Sequence, residues 1–200
     1  MGKKKEKKVY GVGVNDSPEP VQRFEKVDGK KKQVWVCPYY VVWKDMLKRC
    51  YYEPYLKKKP TYIGCSVCDD WIYFMTFKAW MLEQNWEGKA LDKDILIEDN
   101  KIYSPETCRF VDRDLNMFLT DSGAARGEWP IGVYWYKASS KFVAKCCNPF
   151  TKKQEHLGYF TCPKEVHEAW RKRKHELACA LADLQYDTDI AEALRNRFKP

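Results

Sequence analysis

The stretch Leu91-Asp92-Lys93-Asp94-Ile95, a polar turn, Ile102-Tyr103-Ser104-Pro105-Glu106-Thr107-Cys108-Arg109-Phe110-Val111, then Asp112-Arg113-Asp114-Leu115-Asn116 reads as a β-hairpin followed by a helix. Asp92 and Asp94 stand one strand period apart, which predicts that their carboxylates share a face of the first strand. In a ββα unit the helix folds back over the hairpin and brings Asn116 with it. Hard oxygen ligands from a strand and a helix suit a single Mg²⁺, which takes one or two carboxylates and completes its shell with water and substrate phosphate. The pattern points to phosphodiester chemistry on nucleic acid. Taken alone, Asp92, Lys93 and Asp94 read better as the polar edge of a surface strand than as a metal site.

The remainder of the chain bears on that choice. Two hundred residues suffice for one large or two small domains, and 44% hydrophobic with 15% aromatic residues can fill real cores. A net charge of +8 favours a polyanionic partner. No apolar run approaches the ~20 residues needed to span a bilayer. The start, Gly2-Lys3-Lys4-Lys5-Glu6-Lys7-Lys8, has cations with no apolar segment behind them, unlike a secretory signal. It reads either as a phosphate-seeking arm or as a solubilising tail. The expectation is a soluble cytoplasmic protein with no membrane partner.

Nine cysteines form an odd count in a chain that is not small, so reduced thiols are expected rather than a disulfide framework. Cys65 and Cys68 make one Cys-x-x-Cys, and a structural Zn²⁺ site would need two more ligands, for which Cys37 and Cys50 are the candidates. Buried thiols packing as small hydrophobes are the preferred reading.

Residues 9–43 look like short strands and turns, with Asp28-Gly29 as a hairpin turn before Gln33–Val36. Over Tyr40–Tyr52 the positions Val41, Val42, Met46, Leu47 and Cys50 follow a helical period. The basic run Lys57-Lys58-Lys59-Pro60 reads as a loop. A second helix is expected from Cys68 to Gln84, with Trp71, Phe74, Met75, Phe77, Trp80 and Met81 in a core.

Trp43-x-x-Met46-x-x-Arg49-Cys50-Tyr51, Pro60-Thr61-Tyr62, Val67-Cys68, Trp71-x-x-Phe74-x-x-Phe77, Leu91-Asp92-Lys93-Asp94 and Tyr103-Ser104-Pro105-Glu106-x-Cys108-Arg109 together resemble phage-encoded, homing-type endonucleases of the HNH class. Within that class the order is similar to proteins that pair the nuclease module with an AP2-type DNA-binding domain, over about residues 40–185. The resemblance implies Asp92 as metal ligand and Asn116 as the helix residue completing the site. Lys93 stands where such enzymes carry the histidine base, and Thr107 replaces the asparagine that braces the metal loop. His156, His167 and His175 all lie outside the module. An ordinary lysine, with a pKa of ~10.4, cannot accept a proton at neutral pH. Lys93 is therefore expected to stabilise the phosphate, leaving proton abstraction to Asp94 or to the hydrated metal. The rival expectation is a site that has lost catalysis and kept DNA contacts.

After a linker over residues 121–130, three strands are expected at Ile131–Tyr136, Lys141–Cys147 and Gln154–Phe160. A helix capped by Thr161 follows, with Pro163 in its first turn, and runs to about Leu184. If Val133, Phe142, Ala144, Cys146 and Leu157 pack on that helix, then Tyr134, Tyr136, Lys145, Gln154 and His156 face away. Ile131-Gly132-Val133, Phe142-x-Ala144 and Leu157-Gly158-Tyr159-Phe160 resemble AP2 domains, which lay this outer face in the DNA major groove. The resemblance makes those five outward residues the DNA contacts, with tyrosines at Tyr134 and Tyr136 where the family often has arginine. Arg171-Lys172-Arg173-Lys174 is expected to be a solvated face.

The resulting expectation is an α+β protein. Residues 1–39 form a basic arm and short β segment, 40–120 an HNH-like ββα module with its preceding helices, 131–186 an AP2-like three-stranded sheet on one helix, and 187–200 a polar tail with a short helix at Ile190–Phe198. The expected activity is Mg²⁺-dependent (or other divalent-cation-dependent) cleavage or nicking of double-stranded DNA; the competing expectation is a DNA-binding protein without catalysis.

Overall fold

The computed structural model describes residues 8–120 and 128–199, and it is mixed α and β. The expected basic arm at residues 2–7 and most of the expected linker, residues 121–127, lie outside them. The chain divides into two compact units, one comprising Met1–Asp94 with Asp99–Phe110, the other Ile95–Glu98 with Val111–Pro200. The expected boundary near residue 120 therefore falls earlier, between Phe110 and Val111.

The first unit begins with strands β1 (Gln22–Val27) and β2 (Lys30–Val36), antiparallel around Asp28 and Gly29 at φ of 52° and 74°. Positive φ at both central residues is the hairpin turn that Asp-Gly favours. Helix α1 (Pro38–Tyr51) opens with proline in its first turn and buries Tyr40, Trp43, Leu47 and Cys50, a spacing of three and four. The basic run then continues helically: Lys57 and Lys58 end α2 (Glu53–Lys58) rather than forming a loop. The single helix expected over 68–84 is split into a 3-10 turn, Asp69–Ile72, and α3 (Phe74–Leu82). The split places Trp71 so that its carbonyl accepts the Trp43 indole N–H at 2.7 Å. Trp43, Trp71, Phe74, Phe77 and Met81 form the heart of this unit's core, each at most 1% exposed.

Around that core lie short strands. β3 (Ser66–Val67) pairs in parallel with β5 (Ile102–Tyr103), and β4 (Ala90–Asp92) pairs with β6 (Arg109–Val111). The hairpin is thus β4 with β6, and residues 93–108 form an excursion between them.

The second unit holds α4 (Arg113–Leu119), an antiparallel sheet in the order β7 (Val133–Tyr136), β8 (Lys141–Cys147), β9 (Gln154–Phe160), then α5 (Pro163–Ala182) and α6 (Thr188–Arg197). Cys162, not Thr161, is the residue before α5, with no side-chain cap. Val166 of α5 packs with Val133, Phe142 and Ala144, while Trp170, Leu177 and Ala178 pack with Cys146 and Phe118. The tail is no appendage: Ile190, Ala191 and Leu194 of α6 are buried with Ile95, Val111, Leu115 and Ala182. Asp187 caps α6 by accepting from the Asp189 and Ile190 amides at 2.9 and 3.2 Å.

The basic quartet on α5 is largely structural rather than a solvated face. Arg173 grips Glu155 at 2.7 and 3.0 Å and reaches Glu176 at 2.8 Å; Arg171 donates to the Lys199 carbonyl. Lys174 is buried, its Nζ donating to the Phe118 carbonyl at 2.6 Å and lying 3.5 Å from the Phe118 ring centroid. A cation at the last turn of α4 also complements the negative end of that helix's dipole. Burial lowers the Lys174 pKa from 10.5 to about 8, against a weaker upward pull from Cys146 and Cys147. Between those values the unfolded chain binds more protons than the folded one, so stability rises with pH. The desolvation cost is fully present below pH 8 and is lost by about pH 10.5. Urea unfolding of wild type and Lys174→Met is expected to diverge in wild type's favour by roughly 2 kcal/mol between pH 7 and pH 10. Parallel pH profiles would show that this ammonium is not desolvated.

Candidate functional site

Strand β4 ends at Asp92, so Asp94 lies beyond it and the two carboxylates do not share a strand face. Instead the chain turns, and Asp92 Oδ1 accepts the Asp94 backbone N–H at 2.6 Å. An aspartate bonding the amide two residues on is a local turn that competes with strand continuation.

Lys93 points inward and is only 6% exposed. Its Nζ donates to both Asp94 oxygens, at 2.6 and 2.8 Å, and to the Asn100 carbonyl. Its ammonium is thereby committed to holding the 93–100 loop rather than standing open to a phosphate, contrary to the role the sequence implied. The same contacts engage both oxygens of Asp94 with the Lys93 ammonium.

The brace of this excursion is Asn100. Its Nδ2 donates to the carbonyls of Lys93 and Ile102 at 2.8 and 2.7 Å, and its Oδ1 accepts the Ile102 N–H at 3.1 Å. Thr107 adds one further bond, Oγ1 to the Ile102 carbonyl at 2.9 Å. The bracing is therefore done mainly by Asn100, whose position in the polar turn at Asp99-Asn100 was the available signal. From α1, Arg49 donates to the Leu91 carbonyl at 3.5 Å. Burial opposes its charge, but hydrogen bonding and proximity to Tyr103, with Tyr62 nearby, push the guanidinium pKa up overall.

Mg²⁺ uses one or two protein carboxylates. Asp92, the last residue of β4, offers one such carboxylate, whose Oδ1 also accepts the Asp94 amide. Asn116, the other expected ligand, sits half-buried on α4 in the second unit, its backbone carbonyl accepting the Thr120 hydroxyl at 2.8 Å. Among the described residues no group of three or more His, Cys, Asp and Glu side chains is arranged to hold a metal. Cys65 is buried in the first core and Cys68 half-buried beside it, its thiol pKa pushed up by burial. Cys50 and Cys108 are both pushed up to about 12, burial being the main cause, which makes them neutral packing groups.

In the second unit the sheet has one face on α5 and one outward. Tyr134 and Tyr136 are each nearly half exposed, Gln154 and His156 are exposed, and Lys145 is half-buried. Lys145 Nζ lies 5.6 Å from the Tyr134 ring centroid. These are the five residues expected to face away from the helix. Val143 is also outward by alternation yet 3% exposed, because Tyr134 and Tyr159 flank it across the ladder.

Tyr159 is an addition to the expected set. A register shift between Ala144 and Lys145 sets Ala144 opposite Gly158 and Lys145 opposite His156, leaving Leu157 as the extra residue. That bulge turns Tyr159 outward, 51% exposed, with ring centroids 4.8 Å from His156 and 5.9 Å from Tyr136. Gly158, at φ 132°, was the clue, since an isolated glycine in a strand marks a bulge.

Comparison with known proteins finds no matching family model, curated protein or solved structure. No helix of the described residues is long and apolar enough to cross a membrane.

Proposed function

We propose that the chain is a duplex-DNA endonuclease of the HNH type, guided by its carboxy-terminal sheet in the manner of an AP2 domain. The observation that carries the DNA-binding part is the outer face of β7–β8–β9, which presents Tyr134, Tyr136, Lys145, Gln154, His156 and Tyr159 while the other face is filled by α5. An amphipathic sheet needs no such row of hydrogen-bonding aromatics with a cation and an amide. Glutamine reads adenine edges, lysine contacts phosphate or guanine, and tyrosine offers both a hydroxyl and an apolar ring for the thymine methyl.

Cleavage rests on Asp92 at the end of β4, whose carboxylate would take part in holding a divalent cation. When bound, that cation supplies charge stabilisation at the scissile phosphate. The chain's own part is to fix the Asp92 carboxylate through the Asp94 amide and to hold the following loop through Lys93 and Asn100. A second reading, DNA binding without cutting, is favoured by one observation: Lys93, at the position of the family's histidine base, is buried and tied to Asp94.

Binding is tested by titrating the full chain against a pool of random duplexes over a range of salt. Gln154→Ala is expected to cost about 1–3 kcal/mol on the preferred site and relax selectivity there. Lys145→Ala is expected to weaken all sequences alike and lower the salt slope by about one. Wild type that retains no duplex, or variants indistinguishable from it, would remove the sheet as the reader.

A further inference from the structure

The β1–β2 hairpin has no part in the function proposed above, yet its surface is unusual. Its strands are exposed along nearly their whole length, and among the described residues no third strand joins them. Phe24, Val27, Val34 and Trp35 are between 38% and 45% exposed. A lone two-stranded hairpin is marginal in water, and one carrying four large apolar groups on its surface suggests a surface built for contact.

The charge identifies the partner. Between Gln22 and Val36 stand Arg23, Lys26, Lys30, Lys31 and Lys32 against only Glu25 and Asp28. Lys26 is directly opposite Lys31, and Phe24 is opposite Gln33. Those four residues share one face, and it carries no carboxylate. Like charges paired across a ladder are destabilising by themselves, so an anion binding between them relieves a cost already present. Lys31 Nζ lies 4.5 Å from the Phe24 ring centroid, a cation–π contact on this face. On the other face Arg23 covers Trp35 at 5.0 Å.

We propose that this hairpin is a second DNA-contacting element: a basic β-ribbon whose Lys26 and Lys31 engage the phosphates of duplex DNA. A two-stranded ribbon has the width that a major groove, about 12 Å across, admits. The inference shares its partner with the function proposed above but not its residues, and the experiment separates the two.

Full-length protein is titrated with a duplex oligonucleotide, the same strand unpaired, and anionic phospholipid vesicles, each across about 50–200 mM salt. In Lys26→Ala/Lys31→Ala the slope of log affinity against log salt for duplex is expected to fall by about two, since each phosphate contact contributes about 0.9. Lys26→Arg/Lys31→Arg is expected to keep the slope. Both positions are exposed, so unfolding midpoints stay within error and report intact folding. An unchanged slope in the alanine variant, an equal loss on the unpaired strand, or a loss confined to vesicles overturns the ribbon. If Lys145→Ala changes the slope and the hairpin variant does not, the sheet reader stands and the ribbon falls; if wild type ignores duplex, both fall.

Discussion

Asp92→Ala is expected to abolish metal-dependent strand cleavage, by a factor of about 10³ or more, while duplex affinity changes less than about threefold. The carboxylate sits at the last residue of β4, half-buried, and its position is fixed because Oδ1 accepts the Asp94 amide at 2.6 Å. Alanine removes both the charge that would hold the cation and the turn bond, so loss of activity alone would not distinguish a chemical from a structural cause. Asp92→Asn separates them. The amide oxygen still accepts from Asp94, so the turn persists, but the negative charge is gone and divalent-cation affinity falls with it. The expected result on supercoiled plasmid with Mg²⁺ or Mn²⁺ is nicking by wild type and none by either variant, with all three unfolding alike. If wild type shifts DNA but never nicks it, the cutting role is gone, and the buried Lys93 explains why: the position that should carry the base is committed to holding the loop.

What the sequence made legible follows the range over which each residue's environment is decided. The strands at 133–136, 141–147 and 154–160 and the helix from Pro163 were readable because alternation, turn residues and an amino-terminal proline are all local signals. The outward set Tyr134, Tyr136, Lys145, Gln154 and His156 followed from the same alternation. It stopped at the bulge, because one extra residue reverses every side chain after it, and so Tyr159 was missed. Lys93 and Lys174 were misread for a different reason. Nothing in Asp92-Lys93-Asp94 or Arg171-Lys172-Arg173-Lys174 says which cation meets a buried carbonyl. That depends on Asn100 in one case and on Phe118, 56 residues away, in the other. The Asp92–Asp94 strand face failed because a local side-chain turn won over strand extension. The carboxy-terminal helix over Thr188–Arg197 was visible in sequence, but its core role depends on Ile95 and Leu115, far away along the chain.

Gly132→Ala is expected to destabilise the second unit by about 4 kcal/mol, enough to disrupt its three-stranded sheet. Two separate penalties meet at this residue. Its backbone lies at φ 83°, in the left-handed region where a Cβ costs about 1–3 kcal/mol. A Cβ built there would also stand 2.1 Å from Trp170 Cγ and 2.3 Å from its Cδ1. The indole cannot retreat freely, since Trp170 is 6% exposed, stacks on His167 at 5.5 Å and meets Phe198 edge-on at 5.9 Å. Nor can the backbone yield freely: the Gly132 carbonyl accepts the Lys145 N–H at 3.2 Å, on the strand that presents Lys145 outward. The overlap is therefore expected to push α5 away from β7 and β8, and the row beginning at Tyr134 loses its support two residues later. Urea unfolding of Gly132→Ala, Trp170→Leu and the double variant resolves the two penalties. The smaller leucine relieves the overlap but not the backbone strain, so the double variant is expected to be less destabilised than the two single changes added together, by at least about 1 kcal/mol. Strict additivity, or a Gly132→Ala protein within about 1 kcal/mol of wild type, would mean that helix and sheet are not in contact at this point. The outward face would then need another explanation for its order.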